Sequence, residues 1–324
     1  QLTWIPFALW RALRALRCEK SDLIYSSYPP ASAHLLGLLL KQQTDLPWVA
    51  DFRDSWIYDP LDPQLQQSPY RWALETRLEE AVIRRADAVV VATGAVAEHL
   101  RQTYPEAIER IHVITNGFEP EDFPPAEPPP ASEILRIAHT GSFSASHPQR
   151  TPLPLFAALQ DMLAADPIWA RRLHFDFVGS LSAEEQLAGQ GLVDAGLLHL
   201  EGPQERSAAL ACQRRAHVLL LVDHVRPWPS SNVPGKFYEY LAAERPVLAL
   251  GGAGMVERMV RELAAGVFAQ ADDPIAIRKA IEEVYARFQR GQLVVRRDPR
   301  VLHRYHRREL TRELARVFDG LVQS

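Results

Sequence analysis

Apolar and polar residues alternate in blocks along this chain, and each block has the length of one strand or one helix. Short continuous apolar runs, such as 86–93 and 217–222, are typical of strands buried in a parallel sheet. Segments between them, such as 274–290, space their apolar residues three and four apart, as amphipathic helices do. This alternation predicts an α/β protein with doubly wound parallel sheets.

The same patterns give approximate bounds for each element. Before residue 119 the predicted strands are 22–27, 47–54, 86–93 and 111–115, and the predicted helices are 4–17, 31–41, 70–85 and 95–104. After residue 133 the predicted strands are 135–140, 174–178, 197–201, 217–222, 246–250 and 267–269. The helices predicted there are 154–165, 183–188, 206–214, 235–243, 255–264, 274–290 and 307–321.

A proline-rich stretch predicts the boundary between two domains. Residues 119–133 contain six prolines in fifteen residues, which neither a helix nor a central strand tolerates. We therefore expect an inter-domain linker there. The predicted organisation is a first Rossmann-like domain over 1–118, this linker, a second Rossmann-like domain over 134–300, and a terminal segment over 301–324.

Composition excludes several classes of protein. With 324 residues, 47% hydrophobic and 23% charged, the chain can bury a core and is not disordered. A net charge of −4 argues against a nucleic-acid partner. Two cysteines exclude a disulfide framework and fit a reducing compartment, and the eleven histidines show no metal-binding spacing such as HExxH. Walker A, GxGxxG and GxSxG patterns are absent, so ATPase, dinucleotide-binding and hydrolase functions lack support.

Two loops after predicted strands carry residues suited to a phosphate. In the loop 139–150, Gly141 allows a close backbone approach and Arg150 offers a guanidinium, although an incidental arginine is equally compatible with this loop. In the segment 229–248 a helix starts near Gly235, and a helix start favours an anion. Lys236 is unfavourable in that first turn unless an anion offsets its charge.

Two further features have both a chemical and a structural interpretation. Glu239 lies one helical turn after Lys236 and can accept hydrogen bonds from two ribose hydroxyls; alternatively the two form a surface pair contributing about 0.3–0.5 kcal/mol. Arg53 and Asp54 end a predicted strand, where a cleft would explain their charges. The alternative is a local ion pair between Arg53 and Asp54 at a surface turn.

At these loops the chain resembles a known family. The stretches PWVADFRDSW (47–56), ITNGFEPEDF (114–123), FVGS (177–180) and VPGKFYEYLAAERPVLAL (233–250) are similar to those of GT-B glycosyltransferases, namely the retaining, nucleotide-sugar-dependent group often labelled family 4. The resemblance covers essentially the whole chain. It implies a GT-B arrangement of two Rossmann-like domains, with the terminal segment crossing back to the first.

The resemblance also implies roles for single residues. Lys236 and Arg150 would hold the donor pyrophosphate and act in catalysis with Asp54 and Arg53, and Glu239 would bind the donor ribose. The other donor-binding residues expected are Gly141, Ser142, Gly179, Gly202, Pro203, Ser231 and Asn232. No metal is expected, because two cations would neutralise the pyrophosphate and no DxD motif is present.

The chain departs from the family pattern at three places. Ser231 stands where the family carries the first of two glutamates eight positions apart, and Arg53 stands where many members carry histidine. The strand and glycine-rich loop with which the family begins have no counterpart here. We therefore expect an incomplete first domain that lacks on the order of 80–100 residues.

The resemblance implies transfer of a sugar from a nucleotide diphosphate sugar to a hydroxyl acceptor with retention. The expected acceptor is a cell-envelope or lipid-linked saccharide, and the expected location is the cytoplasm, at the inner face of the membrane. The aromatic, arginine-rich helix 4–17 suits an anionic membrane, or it is an ordinary helix covering the first sheet. Two other functions stay open: a nucleotide-sugar epimerase of the same fold, and a sugar-nucleotide-binding protein without catalysis.

Overall fold

The computed structural model describes residues 2–60, 62–123, 131–144, 150–293, 295 and 298–323. They form two compact units, each built on a parallel sheet. The first unit comprises Gln1–Gly117 and Arg307–Ser324, and the second comprises Phe118–His306. The prediction of an α/β protein with two parallel sheets is confirmed.

The first unit contains a parallel sheet of four strands. The elements are α1 (Ile5–Cys18), β1 (Ile24–Tyr28), α2 (Ala31–Gln43), β2 (Trp48–Phe52), α3 (Pro69–Arg85), β3 (Ala88–Val91), α4 (Gly94–Thr103) and β4 (Ile111–Val113), with 3₁₀ helices at Pro63–Leu65 and Pro105–Arg110. The strands follow one another across the sheet in the order β1-β2-β3-β4.

The second unit contains a parallel sheet of six strands. After a 3₁₀ helix at Pro120–Asp122 come β5 (Leu135–Thr140), α5 (Leu153–Ala165), α6 (Trp169–Arg172), β6 (Leu173–Val178), α7 (Ala183–Asp194), β7 (Leu198–Gly202), α8 (Arg206–Arg215), β8 (Val218–Val222), α9 (Gly235–Ala242), β9 (Val247–Gly251), α10 (Met255–Glu262), β10 (Gly266–Gln270), α11 (Pro274–Gln289) and α12 (Pro299–His303). The short helices α6 and α12 were not predicted, because four or five residues are too few to show a helical period.

The strand order of the second sheet reverses, which places its ligand site. The order is β10-β9-β8-β5-β6-β7, so the chain turns back between β5 and β8. Ligands of such sheets bind at that point, beyond the carboxyl ends of the strands. In the first sheet the described strands follow one another in chain order, without a reversal. Among the described strands, the doubly wound order therefore occurs in the second sheet.

The terminal helix, α13 (Arg307–Val322), covers one face of the first sheet. Its leucines Leu310 and Leu314 pack with Val49 and Val90, which point to that face. The alternate strand residues, such as Val89, point to the opposite face and pack against the core beneath the other helices. Because both faces are covered, the central strands are apolar at successive positions.

The bounds of the two units differ from the predicted domains. Phe118 N donates a hydrogen bond to Tyr305 O (3.0 Å), and the Phe118 ring packs edge-on against His306 (5.1 Å). These contacts hold residues 118–123 and 299–306 on the second unit, so the chain changes unit at Arg307 rather than at residue 301. Residues 124–130 of the predicted linker lie outside the described part of the chain.

A buried carboxyl group in the first unit makes folding sensitive to pH. Glu79 Oε2 accepts a hydrogen bond from Ile57 N (3.0 Å), and Oε1 accepts one from Tyr104 Oη (3.3 Å). Burial raises the pKa of Glu79 to about 7 despite these bonds. The folded protein therefore holds a proton on Glu79 more tightly than the unfolded chain does.

The wild type is expected to lose stability as pH rises from about 4.5 to 7, and the Glu79→Gln variant is expected not to. Protonation of Glu79 stabilises the folded protein fully below the pKa of Glu79 in the unfolded chain, and this stabilisation is lost as pH rises through its pKa in the folded protein. With roughly 1.4 kcal/mol per pKa unit, the wild type should lose about 3 kcal/mol relative to the variant. Urea unfolding at pH 5 and pH 8 measures this difference. Glu80→Gln, which removes an exposed ion pair with Arg84, is the control, and parallel pH profiles for all three proteins would contradict the interpretation.

None of the described helices is both long enough and apolar enough to cross a membrane.

Candidate functional site

Loops from three strands of the second unit meet at the carboxyl ends of the sheet. Gly141, just after β5, donates its N–H to Val178 O at the end of β6 (2.7 Å). Asp223 follows β8, and α9 begins nearby at Gly235. Tyr240 attaches α9 to both central strands, because its hydroxyl accepts from Thr140 N (3.2 Å) and donates to Leu220 O (3.3 Å). The start of α9 is thus fixed beside the reversal of strand order.

Two of the predicted glycines are required by the close packing of these loops. Gly141 has φ +111°, and a Cβ there would lie 2.8 Å from Lys236 Nζ. Gly179 has φ +149°, and a Cβ there would collide with the carbonyl oxygen of Gly141. At Gly179 the backbone of Gly141 leaves no room for a side chain, whereas at Gly141 the positive φ is the main constraint, and the Lys236 ammonium lies close to the backbone there.

The Lys236 side chain is half-buried, and among the described residues it forms no ion pair. Its Nζ donates to Nε2 of His139 at 3.4 Å. That nitrogen can accept because Nδ1 of His139 faces Leu220 O (2.9 Å) and carries the ring proton. Burial and the charge of Lys236 hold the pKa of His139 well below its usual value, so the ring is neutral.

The charge of Arg150 acts on Lys236. Burial, and next the charge of Arg150, lower the pKa of Lys236 to about 8. The Arg150 guanidinium is itself held by Asp223, since Nη2 donates to Asp223 Oδ1 at 3.3 Å. Residues 145–149 of this loop lie outside the described part of the chain. Lys236 lies in the first turn of α9, and a cation there together with a second one suits an anion such as a diphosphate.

Asp223 is a site residue that the sequence analysis missed. Burial opposes its ionisation, but the hydrogen bond with His224 (3.0 Å) and the charge of Arg150 lower the pKa of Asp223. It is therefore charged and orients Arg150. The sequence signal that could have identified Asp223 is its position directly after the apolar run of β8, because the carboxyl ends of the strands form the ligand-binding edge.

Glu239 is held by a neighbouring arginine. Arg206 Nη1 donates to Glu239 Oε1 (2.9 Å), and Arg206 Nη2 donates to Asp122 Oδ2 (2.7 Å). The charge of Glu239 also acts on Lys236. The surface pair considered for Lys236 and Glu239 is not formed, and Glu239 pairs with Arg206 instead. The sequence analysis missed Arg206, which lies 33 residues away in the chain.

The remaining donor-binding candidates occupy several loops. Ser231 is fully buried, and Asn232 N donates to Ser230 Oγ (3.4 Å) in the loop before α9. Gly202 ends β7, two strands away from β5, and Pro203 beside it is exposed. Ser142 follows Gly141 and is half-buried. The structure thus concentrates Gly141, Gly179, Arg150, Lys236 and Glu239 in one place, and sets Gly202 and Pro203 at the sheet edge.

The two first-unit candidates, Arg53 and Asp54, follow β2. Arg53 Nε pairs with Asp51 Oδ1 (3.1 Å), and Arg53 Nη2 donates to Ile114 O. Arg53 therefore pairs with Asp51, whereas the pair considered in the sequence analysis was with Asp54. Asp54 is half-buried, and its charge, after burial, contributes to raising the pKa of Tyr28. Arg53 thus fixes the loop, while Asp54 lies next to a tyrosine.

Comparison with known sequences agrees with this architecture. Residues 1–117 match the family described as glycosyl transferase 4-like domain. D-inositol 3-phosphate glycosyltransferase 1 of Catenulispora acidiphila is 31% identical over 207 residues, which is 60% of this chain and 48% of that protein. The D-inositol 3-phosphate glycosyltransferase of Xylanimonas cellulosilytica is 28% identical over 213 residues, 61% of this chain and 48% of that protein. The chain thus spans about half the length of the curated relatives it matches.

Solved structures share the fold. Sucrose-phosphate synthase from Thermosynechococcus elongatus has a TM-score of 0.70 at 18% identity, over 98% of this chain and 78% of that one. Anabaena HepE in complex with UDP has a TM-score of 0.70 at 16% identity, over 96% and 82%. A glycosyltransferase from Rickettsia africae has a TM-score of 0.71 at 14% identity, over 99% and 82%. The chain has a GT-B fold. Its matched stretches are similar to glycosyltransferase sequences.

Proposed function

We propose that the protein transfers a sugar from a nucleotide diphosphate sugar to a hydroxyl acceptor, with retention of configuration. The observation that carries the proposal is the half-buried side chain of Lys236 in the first turn of α9, which has no carboxylate partner among the described residues and whose charge interacts with that of Arg150. A partly buried cation without a carboxylate is unfavourable unless an anion joins it. The UDP complex of Anabaena HepE shows a nucleotide diphosphate bound to a protein of this fold.

Stabilisation of the leaving group is the main catalytic effect in this proposal. As the bond from sugar to phosphate breaks, negative charge grows on the departing diphosphate. In this proposal Lys236, Arg150 and the start of α9 together stabilise this charge. Because two cations supply the charge, the proposal includes no metal in donor binding.

The ribose of the donor is assigned to Glu239. A carboxylate offers about four acceptor positions, so the bond from Arg206 leaves capacity for two vicinal hydroxyls. Arg206 limits the rotation of the Glu239 carboxylate. Asp54, with its loop fixed by Arg53, is assigned to the acceptor hydroxyl.

Glu239→Gln is expected to weaken UDP far more than 2′-deoxy-UDP. A hydrogen bond to a charged group contributes about 1.5–3 kcal/mol, so the affinity for UDP should fall roughly 10- to 150-fold. Titration calorimetry with both nucleotides measures the ratio. Glu257→Gln is the control, because Glu257 also pairs with a nearby arginine, Arg261, but lies on α10. If the Glu239→Gln variant still discriminates between the two sugars as the wild type does, the ribose assignment is wrong.

The acceptor is proposed to be a cell-envelope or lipid-linked saccharide used in polysaccharide biosynthesis at the cytoplasmic membrane face. Helix α1 supports this proposal. Leu9 and Leu13 pack against the first core, whereas Phe7 and Trp10 are 67% and 53% exposed on the outside. Arg14 lies over the Trp10 ring at 5.7 Å. An outer face of aromatic and arginine side chains is suited to an anionic lipid surface.

Replacing Phe7 and Trp10 together with serine is expected to abolish binding to vesicles of phosphatidylglycerol. The aromatic rings supply the apolar contact with the lipid, and the arginines supply the attraction to its charge. Co-sedimentation with phosphatidylglycerol and with phosphatidylcholine vesicles measures it. Tyr70→Ser is the control, because Tyr70 is 92% exposed on α3. If the double variant and the control bind the vesicles equally well, the proposal that helix α1 binds the membrane is wrong.

The proposed activity is tested by incubating the protein with radiolabelled UDP-, GDP- and ADP-sugars and a lipid extract. Transfer of the label to the lipid or saccharide fraction is the expected result. A labelled sugar recovered as its epimer would identify an epimerase of the same fold. Binding without either product in every combination would identify a sugar-nucleotide-binding protein.

A further inference from the structure

A cluster of histidine and acidic side chains lies on the second sheet, away from the donor site. His174 and Asp176 alternate along β6 and so share one face of the sheet. Asp176 pairs in register with His199 on β7. His174 Nε2 lies 3.0 Å from Asp176 Oδ1, and His199 Nδ1 lies 3.4 Å from the same oxygen. One ligand atom from each residue lies within 4.8 Å of the others.

The cluster borders a solvent-accessible cavity of about 450 Å³. Glu201 also lines it, with Oε1 3.7 Å from His199 Nδ1, and so does the buried Cys212. His174 is the second residue of β6 and His199 the second residue of β7, whereas the donor loops follow the carboxyl ends of the strands. The cavity is therefore separate from the site of Lys236.

We propose that this cluster binds a divalent transition-metal ion of the zinc type through His174, Asp176 and His199. Zinc binds imidazole nitrogen and carboxylate oxygen at about 2.0–2.2 Å, so ligand atoms around a tetrahedral ion lie roughly 3.4 Å apart. The two separations from Asp176 Oδ1, 3.0 and 3.4 Å, are close to that value. Glu201 or water completes the coordination.

Charge and exposure also suit an ion. Asp176 and Glu201 bring two negative charges to the cavity, and Arg136 and Arg215 also line it. Arg136 approaches the other carboxylate oxygen, with Nη1 3.8 Å from Asp176 Oδ2, and leaves Oδ1 to the histidines. His199 is 56% exposed, which gives an ion access from solvent. Imidazole with carboxylate favours zinc, cobalt or nickel over magnesium or calcium.

The ion would join the outermost strand to its neighbour. β7 is an edge strand, and it contacts the rest of the sheet through β6 alone among the described strands. A ligand set drawn from both strands therefore links them, and bound metal should raise the stability of the folded protein. The metal has no part in donor binding in this proposal.

The test is a titration of metal-free protein, as the full chain, with Zn²⁺ and Co²⁺. We expect one equivalent of metal per chain, visible absorption from the cobalt complex, and a higher melting temperature with zinc. His199→Ala and Asp176→Asn should each lower the zinc affinity at least about 10- to 100-fold. UDP affinity should not change in either variant, so failure of this proposal is distinct from failure of the proposed function.

His303→Ala is the matched control, because His303 and His306 form another close pair of imidazoles, with ring centroids 4.9 Å apart. It should leave zinc binding unchanged. Circular dichroism tests whether each variant is folded. Because His199 is exposed, His199→Ala should disturb folding less than Asp176→Asn. The proposal is wrong if zinc does not bind saturably to the wild type, or if it binds equally well to the folded His199→Ala variant. The cluster would then be a hydrogen-bonded network of histidine and aspartate that holds no metal.

Discussion

Replacing Lys236 or Arg150 with alanine is expected to weaken UDP binding roughly 10- to 150-fold. Each cation forms charge-assisted hydrogen bonds to the diphosphate, and each contributes about 1.5–3 kcal/mol. Uridine lacks the diphosphate and should bind the variants and the wild type alike. Titration calorimetry with both ligands measures the difference. Lys279→Ala, which removes an exposed lysine from α11, is the control.

The pH dependence of UDP binding distinguishes Lys236 from its neighbour. Since the pKa of Lys236 is about 8 without ligand and an anion raises it, UDP affinity should fall as pH increases above 8. UDP itself stays fully ionised there, because the second phosphate pKa is near 6. The variant Lys236→Arg keeps its charge and should bind independently of pH from 7 to 9. Equal losses for UDP and uridine in the alanine variants would show that the cations do not face the diphosphate.

Gly179→Ala is expected to lower the free energy of unfolding by about 2–5 kcal/mol. The new side chain must adopt a φ of +149°, which costs about 1–3 kcal/mol, and its Cβ collides with the Gly141 backbone, which adds a similar cost. UDP affinity should fall as well, because Gly141 is displaced from the Lys236 ammonium. Urea unfolding and calorimetry below the melting temperature measure the two effects.

Gly196→Ala separates the two costs. Gly196 has φ +73°, but nothing lies within 4 Å of a Cβ at that position. This variant should lose only about 1–2 kcal/mol from backbone strain and should bind UDP normally. Equal losses of stability and equal UDP affinities for Gly179→Ala and Gly196→Ala would contradict this interpretation. Glycine at residue 179 would then not be required by the contact between the β5 and β6 loops.

Most elements could be predicted because their signals are local. The apolar run of β8 and the helical spacing of α11 are each contained in one short stretch of sequence. The juxtaposition of Lys236 and Glu239 is equally local, since residues three apart on α9 share a face. The position of Lys236 in the first turn of a helix was therefore predictable, and so was its suitability for an anion.

The partners of these residues were not predictable in the same way. Asp223 lies 73 residues after Arg150, and Arg206 lies 33 residues before Glu239. For Arg53, Asp54 was the partner considered, and the structure pairs it with Asp51 at the end of β2. In each case the choice among nearby charges depends on which side of a strand or helix faces which neighbour.

The sequence alone determined the α/β class, the elements and the loops whose residues could bind a ligand, because periodicity and strand ends are properties of short segments. Tertiary structure alone decided the strand order β10-β9-β8-β5-β6-β7, the packing of α13 on the first sheet and the meeting of His174 with His199. These depend on contacts between segments far apart in the chain. Such contacts are selected by the joint burial of many apolar faces, and no single segment encodes that selection.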